Sequence, residues 1–400
     1  APRIVRPTLW VLAVGANGLI LTRDLFNAFV FMEIGAIAFY GILAAGSDRR
    51  RFEAGFKYMI AGGIASAFYL VGTIFLYRVS GTLSIDEIAG SALGNAGGVA
   101  GLLAFAFFAI AILIELKPAP ANGWALDTYE AADAGTGGLL SAVSTTATAL
   151  LLIKVLPLFA AGAPAVITAA TVVGALSFIA ASIMALSQQS ARRMLGLSSV
   201  AQTGLAVFVA GLLSGAAGTP APVLGSLGSE IAALFSAAGP AAIAVALLLN
   251  HALAKAALFW LVGIAGVRSA RNPISLRNKP FFLILAGVAV FALIGLPPFP
   301  SFWAKWSLLT WFGTQGLPWP LVILLLGSLL EAAYLVRWFL ALSRRPDDEL
   351  ATTAEVVPSD FASSSTPAPV AVAPVAVGPA AMAPARLVFP AVAVALLVAT

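Results

Sequence analysis

The sequence has 400 residues, of which 60% are hydrophobic and only 10% are charged, so it does not have the composition of a soluble domain, in which about 25% of residues are charged. The formal net charge of +5 does not indicate nucleic-acid binding, because the basic residues lie in short clusters between apolar runs. Cysteine is absent and His251 is the single histidine, which excludes an iron–sulfur cluster or a bis-histidine haem held by this chain alone. We therefore expect no cofactor to be bound by this chain.

Ten apolar runs are predicted to form membrane-spanning helices, which places the chain in the class of all-α polytopic membrane proteins. The runs lie near residues 8–22, 24–46, 56–78, 97–117, 138–160, 165–187, 195–214, 240–267, 281–296 and 318–343. Two further runs, at 222–238 and 301–316, are ambiguous. The first run is short for a hydrocarbon core of ~30 Å, so we expect it to pack against protein rather than lipid.

Basic clusters separate the predicted spans. They contain Arg49–Arg51, Arg192–Arg193, Arg268 with Arg271, Arg277 and Lys279, and Arg344–Arg345. If the two ambiguous runs do not cross fully, every cluster falls on one side of the membrane, which the positive-inside rule assigns to the cytoplasm. We expect a multi-pass protein of a prokaryotic inner (cytoplasmic) membrane.

The composition changes towards the C-terminus. Residues 346–385 are rich in Ala, Pro, Ser and Val, and we predict an extended linker there. Residues 386–400 are mostly apolar but too few to cross a core of ~30 Å, so we predict a partial helix. The first residue is Ala1 rather than Met, and we expect the gene product to begin earlier.

Two proline-rich segments interrupt apolar spans, at residues 114–124 and 295–305. Each follows an apolar run, contains a tryptophan and carries a lysine, Lys117 in the first and Lys305 in the second. Proline removes a helical N–H donor and clashes with the preceding turn, so both spans are predicted to break. Paired breaks in corresponding halves of a chain favour an inverted-repeat transporter. The alternative is a pair of loops at the membrane surface, where proline and tryptophan are common.

Ionisable residues inside predicted spans are the candidate functional residues, because a charge there costs at least ~2.5–3.5 kcal/mol. Glu33 lies far from both ends of its run with no basic residue within four positions, which favours an ion or proton pathway over a structural hydrogen bond. Lys255 and His251 are four residues apart and so share one helix face. A desolvated lysine releases its proton more readily and can act as a proton store. The alternatives are a snorkelling lysine and a satisfied core histidine.

Four further ionisable residues are secondary candidates. Glu331 lies mid-span, where an ion pair with another helix explains it as well as transport does. Lys154 lies near the end of its run and is predicted to snorkel. Asp127 and Glu130 follow Trp124, where a helix is predicted to restart, so favourable charge at a helix N-terminus accounts for them.

These motifs together resemble the antiporter-like membrane subunits shared by respiratory complex I, membrane-bound hydrogenases and Mrp-type sodium/proton antiporters. The matching segments, in the family's order, begin at Asp24, Phe56, Gly81, Trp124, Arg192, His251 and Gly295. The resemblance implies about fourteen helices with two inverted five-helix repeats, each containing a discontinuous helix. It divides the chain into a first half at 1–160, without the family's N-terminal helices, and a second half at 161–345. It also implies a proton pathway through Glu33, Lys255, His251 and Lys305.

The chain departs from the family pattern in its first half. The family usually has a lysine nine residues before the tryptophan of the first broken helix, and Glu115 occupies that position here. Lys117 follows two residues later and is the candidate substitute, so we include Glu115 and Lys117 in the expected proton pathway. A second family lysine corresponds to Thr146. The resemblance therefore implies a first half-channel that is rewired or defective.

The functional hypothesis is a proton-translocating, antiporter-like subunit of a multi-subunit membrane complex driven by a redox reaction. Such a complex resembles an NADH:quinone oxidoreductase or a hydrogenase, with quinone, iron–sulfur or flavin groups in partner subunits. The expected partners are other membrane subunits, the lipid bilayer and H+, with Na+ as the alternative ion. The alternative functions are a subunit of an Mrp-type antiporter, a stand-alone solute transporter and a structural membrane anchor.

Overall fold

The computed structural model describes residues 5–46, 48–90, 98–162, 164–215 and 229–344. The described part of the chain is helical, with two isolated β-bridges. The predicted linker at 346–385 and partial helix at 386–400 lie outside the described residues. The helices are α1 (Val5–Leu21), α2 (Leu25–Ala44), α3 (Arg49–Ser80), α4 (Ile85–Gly90), α5 (Gly98–Leu116), α6 (Gly123–Ala131), α7 (Ala134–Leu139), α8 (Thr145–Gly162), α9 (Pro164–Leu186), α10 (Ala191–Gly215), α11 (Ser229–Ala265), α12 (Pro280–Ile294), α13 (Pro300–Thr314) and α14 (Pro318–Leu342), and a π-helical segment (Leu140–Ser144) joins α7 to α8.

Eight of the described helical stretches are long and apolar enough to cross a membrane, and α1 and α12 are shorter apolar helices. Large apolar side chains such as Trp10, Leu21 and Leu329 are at least two-thirds exposed on the outside of the bundle. Ionisable side chains in the middle of the spans, such as Glu115, Lys255 and Glu331, lie instead in the interior. This arrangement confirms the polytopic helical membrane fold that the sequence predicts.

Two predicted spans begin well before the limits that the sequence predicts. The run at 56–78 is part of α3, which begins at Arg49 because Asp48 caps it by accepting a hydrogen bond from Arg50 N (3.1 Å). The run at 240–267 begins at Ser229, so Gly239 and Pro240 lie inside α11 although both residues favour a helix end.

The two ambiguous runs are not separate crossings. The part of 222–238 that the structure describes is the beginning of α11, and 301–316 is α13, which completes the crossing that α12 starts. The basic clusters consequently lie at one end of the bundle, where backbone contacts join them: Ala191 N donates to Arg268 O (2.9 Å) and Leu276 N to Leu342 O (2.7 Å). This agrees with the predicted cytoplasmic face, and the orientation itself stays a prediction.

Both halves of the chain repeat one local structure. The residue before α2, Asp24, forms a β-bridge with Ser84, and the residue before α10, Ser190, forms a β-bridge with Ser269. In each half the bridged serine follows a left-handed glycine by three residues, Gly81 (φ 72°) and Gly266 (φ 74°). Four crossings lie between α2 and α10, so the two helices run in opposite directions, which is the arrangement expected of inverted repeats.

The two predicted breaks are confirmed, and other helices satisfy the backbone groups that they free. At the first break, Thr203 donates to Leu116 O (3.2 Å) and Ala119 N donates to Ser177 Oγ (3.0 Å). These partners belong to α10 and α9, so other helices enclose the start of the break at Leu116 and Lys117, whereas Pro120 and Ala121 are exposed.

At the second break, Lys305 donates to Ile294 O (3.0 Å) and Asn250 donates to Ala292 O (2.9 Å). Here the lysine that the sequence singled out is itself a partner of the freed backbone.

The residue that ends the first half-helix is left-handed at both breaks. In the second break it is Gly295 (φ 84°), and in the first it is Lys117 (φ 60°), the only positive-φ residue other than glycine among the described residues. A non-glycine residue in this conformation costs about 1–3 kcal/mol and persists where the surroundings require it. Lys117 is therefore a strained position whose side chain is held in the interior.

Helices α9 and α10 approach each other closely through two glycines. A Cβ atom at Gly174 would lie 2.5 Å from Phe208 N, and one at Gly204 would lie 2.6 Å from Phe178 N. Because the clashing atoms are backbone, they cannot move aside without separating the helices.

We expect Gly174→Ala to destabilise the protein by about 1–3 kcal/mol through this overpacking. The matched control is Gly63→Ala in α3, because a Cβ atom there meets nothing within 4 Å. Thermal unfolding in detergent measures both variants. Equal melting temperatures for the two would contradict the close packing of α9 and α10.

Candidate functional site

A line of buried ionisable side chains runs through the described part of the bundle. Its members are no more than 6% exposed, and Lys255 and Glu331 are completely buried. They are Glu115, Lys117, His251, Lys255, Lys305 and Glu331. Since a lone charge in hydrocarbon is costly, each must have a polar partner, and those partners define the site.

The first group is centred on Glu331 of α14. Lys305 Nζ of α13 lies 3.3 Å from Glu331 Oε2 and forms an ion pair with it. Gln202 Nε2 of α10 lies 2.6 Å from both oxygens of the same carboxylate. The sequence left open whether Glu331 forms an ion pair with another helix or serves transport, and the structure shows the ion pair.

Lys255 and His251 of α11 extend this group towards the first half. Lys255 Nζ donates to Leu195 O (3.0 Å) and interacts electrostatically with Glu331. His251 Nε2 lies 3.5 Å from Ser141 Oγ in the π-helical segment. Lys255 points into the protein, so the snorkelling alternative is wrong for this residue.

Glu115 and Lys117 flank the end of α5 and form the second group. Lys117 Nζ donates to Thr145 Oγ1 (2.5 Å), and its charge interacts with that of Glu115. A cavity of about 20 Å³ opens beside Glu115 and is lined in part by Ser144 and Thr148. This volume is enough for about one water molecule.

Glu33 of α2 lies next to the second group but is only partly buried. It accepts a hydrogen bond from Ser66, and its charge interacts with Glu115 and with Tyr40. The structure thus brings Glu33, Glu115 and Lys117 together on one side and His251, Lys255 and Lys305 on the other. All six residues that the sequence predicted for the pathway lie in or beside this line.

Three secondary candidates lie outside the line. Lys154 donates to the carbonyl oxygens of Ile20 and Thr22, so it caps the C-terminal end of α1. Asp127 forms an ion pair with Lys57 (2.6 Å), and Glu130 forms one with Arg193 (2.8 Å). These contacts anchor α6 at the basic end of the bundle and give Asp127 and Glu130 a structural role.

Gln202 and Asn250 are buried polar residues that the sequence analysis did not select. Gln202 ends the family motif that begins at Arg192, and Asn250 precedes His251. Each is an uncharged amide, and only its contact with a distant helix distinguishes it from an ordinary polar residue. A polar residue directly beside a predicted buried charge is the signal that points to Asn250.

Asp133 closes the basic end of the bundle between α6 and α7. Burial raises the pKa of Asp133, but hydrogen bonds from Thr136 and the guanidinium of Arg51 at 2.5 Å outweigh it and hold the pKa below its usual range. A carboxyl group with a lowered pKa stabilises the fold at pH values above its unfolded pKa of about 3.9. That contribution disappears as the pH falls through the folded-state pKa.

We expect Asp133→Asn to lower the melting temperature at pH 7 and to have progressively less effect as the pH falls below about 4. Thermal unfolding in detergent over this range measures the difference from wild type. A difference that stays constant with pH would show that the Arg51 contact contributes no charge-dependent stability.

Comparison with known proteins places this geometry in a family. The profile described as NADH:quinone oxidoreductase/Mrp antiporter, TM matches residues 22–227 and 223–331. The NADH-quinone oxidoreductase subunit N of Desulforudis audaxviator (strain MP104C) is 32% identical over 339 residues, which cover 82% of this chain and 63% of that protein. The chain therefore spans less than two-thirds of the length of this relative.

Two solved structures share the fold. The structure of the Mrp complex from Dietzia sp. DQ12-45-1b aligns with a TM-score of 0.73 at 22% identity and covers 85% of this chain and 60% of the matched chain. The structure of the membrane-bound sulfane sulfur reductase (MBS), an archaeal respiratory membrane complex, aligns with a TM-score of 0.72 at 25% identity and covers 98% and 72%. Since the family profile matches well over half of its length, this chain belongs to the transmembrane family of NADH:quinone oxidoreductase and Mrp antiporter subunits.

Proposed function

We propose that this chain is a proton-translocating, antiporter-like subunit of a multi-subunit membrane complex, driven by a redox reaction in partner subunits. The observation that carries the proposal is the buried ion pair between Lys305 and Glu331 beside Lys255. Two lysines and one carboxylate in the interior of a membrane bundle hold a net charge that changes with each proton gained or lost. Family membership supports the proposal.

The ion pair supplies a switch because its energy depends on distance. Lys305 and Glu331 lie on different helices, and α13 belongs to a broken span. When the ammonium and the carboxylate separate, the charged lysine loses its counter-charge in a medium of low dielectric constant, and releasing its proton becomes more favourable. A movement of α13 driven by a partner subunit would therefore move protons.

The proposed pathway joins the two groups of the site. Protons pass between Lys305 and Lys255, whose charges both interact with Glu331, and then reach His251. His251 lies one helical turn from Lys255 on α11, and its Nε2 is 3.5 Å from Ser141 Oγ in the first half, so it is positioned to connect the two halves. In the first half the pathway continues through Lys117.

Beyond Lys117 the proposed pathway passes Glu115 and reaches Glu33, which is the member with partial exposure. The polar line is thereby extended from a buried centre to a partly open carboxylate. We propose H+ as the transported ion because the members are lysine, histidine and carboxyl side chains, which gain and lose protons.

The driving reaction is assigned to partner subunits because the sequence has no cysteine and one histidine. We propose a redox reaction as the energy source because some of the similar proteins are named as subunits of respiratory complexes. We place the complex in the inner membrane of a prokaryote, with the basic end of the bundle in the cytoplasm.

We expect Lys305→Ala and Glu33→Gln each to suppress proton pumping by the assembled complex, because each removes a protonatable member of the pathway. The measurement is the number of protons translocated per electron in native membrane vesicles, with assembly followed on native gels. Lys279→Ala is the matched control, since Lys279 is exposed at the start of α12. Wild-type stoichiometry in both pathway variants would falsify the proposed function.

A further inference from the structure

A gap in the basic residues separates the two halves of the site. No lysine, arginine or histidine occurs between Lys117 and Lys154 in the sequence. The space between Lys117 and His251 is occupied instead by hydroxyl side chains from three elements: α6, the region where the π-helical segment joins α8, and α10. They are Tyr129, Ser141, Thr145 and Ser199.

Measured contacts connect both ends of this hydroxyl cluster. Lys117 Nζ donates to Thr145 Oγ1 (2.5 Å) at one end, and Ser141 Oγ lies 3.5 Å from His251 Nε2 at the other. Ser141 and Ser199 share a hydrogen bond of 2.6 Å, which holds the Ser141 hydroxyl in place. All four hydroxyl residues are at most 1% exposed.

Tyr129 is the central member of the cluster. Its hydroxyl interacts with Thr145, Ser199 and Ser141 but forms no direct hydrogen bond within the part of the chain that the structure describes. Its ring is fixed by stacking on Phe259, with the centroids 5.5 Å apart. The phenol oxygen is therefore buried beside the cluster without a direct hydrogen bond of its own, which makes Tyr129 the candidate connection between the two ends.

The backbone of Lys117 aims the lysine at this cluster. The corresponding residue of the second break is Gly295, which has no side chain to direct. The left-handed conformation of Lys117 is unfavourable for a residue with a Cβ atom, so its occurrence at a buried lysine is evidence of a functional constraint.

We infer that Thr145, Tyr129 and Ser141, with Ser199 holding Ser141, form a hydroxyl relay that carries protons between Lys117 and His251. The inference rests on the proposed function, because the relay needs a proton pathway to serve. Hydroxyl groups both donate and accept, so they pass protons without storing charge. The relay therefore joins two charge-storing residues through uncharged hydroxyl groups.

The transfer conserves every proton. An N–H bond of Lys117 breaks and an O–H bond forms on Thr145, which gives its own proton to Tyr129. Tyr129 then gives its proton to Ser141. Ser141 in turn gives its proton to Nε2 of His251. Lys117 ends neutral, His251 ends as a cation, and each hydroxyl keeps one proton. Rotation of the hydroxyls restores the starting arrangement, in which Thr145 donates to a backbone carbonyl.

The test compares three substitutions in the assembled complex in native membrane vesicles. Thr145→Val keeps the shape and removes the hydroxyl, Thr145→Ser keeps the hydroxyl, and Thr171→Val is the matched control. Thr171 is a buried threonine of α9 whose hydroxyl donates to Ile167 O of its own helix (2.8 Å). The readout is the rate of proton translocation per assembled complex.

We expect Thr145→Val to slow translocation by about 100-fold, which is within the range for removing one proton-transfer group, and Thr145→Ser to restore it. Thr171→Val should pump at the wild-type rate. Tyr129→Phe should slow translocation in the same way, which supports the relay independently of position 145.

Two results would overturn the relay. One is wild-type translocation in Thr145→Val, and the other is an equal loss in Thr145→Ser, which would show that shape rather than the hydroxyl matters. Lys305→Ala in the same assay separates this inference from the proposed function. If Lys305→Ala stops pumping while Thr145→Val pumps normally, the relay alone is wrong.

Discussion

The ion pair between Lys305 and Glu331 is the contact on which the arrangement of the second half depends. A buried lysine or glutamate is costly in a bilayer, and the pair is kept because Gln202 holds both oxygens of the carboxylate while Ile294 O accepts from the lysine. That carbonyl is available only because the helix breaks after Ile294. The helix break thus supplies a backbone acceptor for Lys305, and Glu331 supplies its counter-charge. Lys255 is a second positive charge that interacts with Glu331.

The two breaks use the same backbone geometry for different side chains. The second break ends its first half-helix on Gly295 and carries its lysine on the helix that follows, whereas the first ends on Lys117 itself. In the first half the lysine lies at the strained position, next to Glu115, and reaches Thr145. In our account this half conducts through hydroxyl groups where the family pattern has a second lysine.

The sequence predicted the fold and most of the site because membrane burial leaves strong signals. Apolar runs located the spans, proline clusters located both breaks and Lys305, and charges inside apolar runs located Glu33 and Lys255. Sequence could not supply the partner of Glu331, since pairs across helices depend on packing, nor the left-handed backbone of Lys117. Helix limits such as the start of α11 were also missed, because Gly239 and Pro240 favour a helix end in the sequence but lie within α11.

The central claim is that the charge of Glu331 controls the proton on Lys305. Glu331→Gln tests it most directly, because glutamine keeps the shape of the side chain and can still accept from Gln202, while it removes the counter-charge of the lysine. The measurement is the number of protons translocated per electron by the assembled complex. Our account predicts that Glu331→Gln assembles and transfers electrons but does not pump through this subunit. Wild-type stoichiometry in this variant would contradict it.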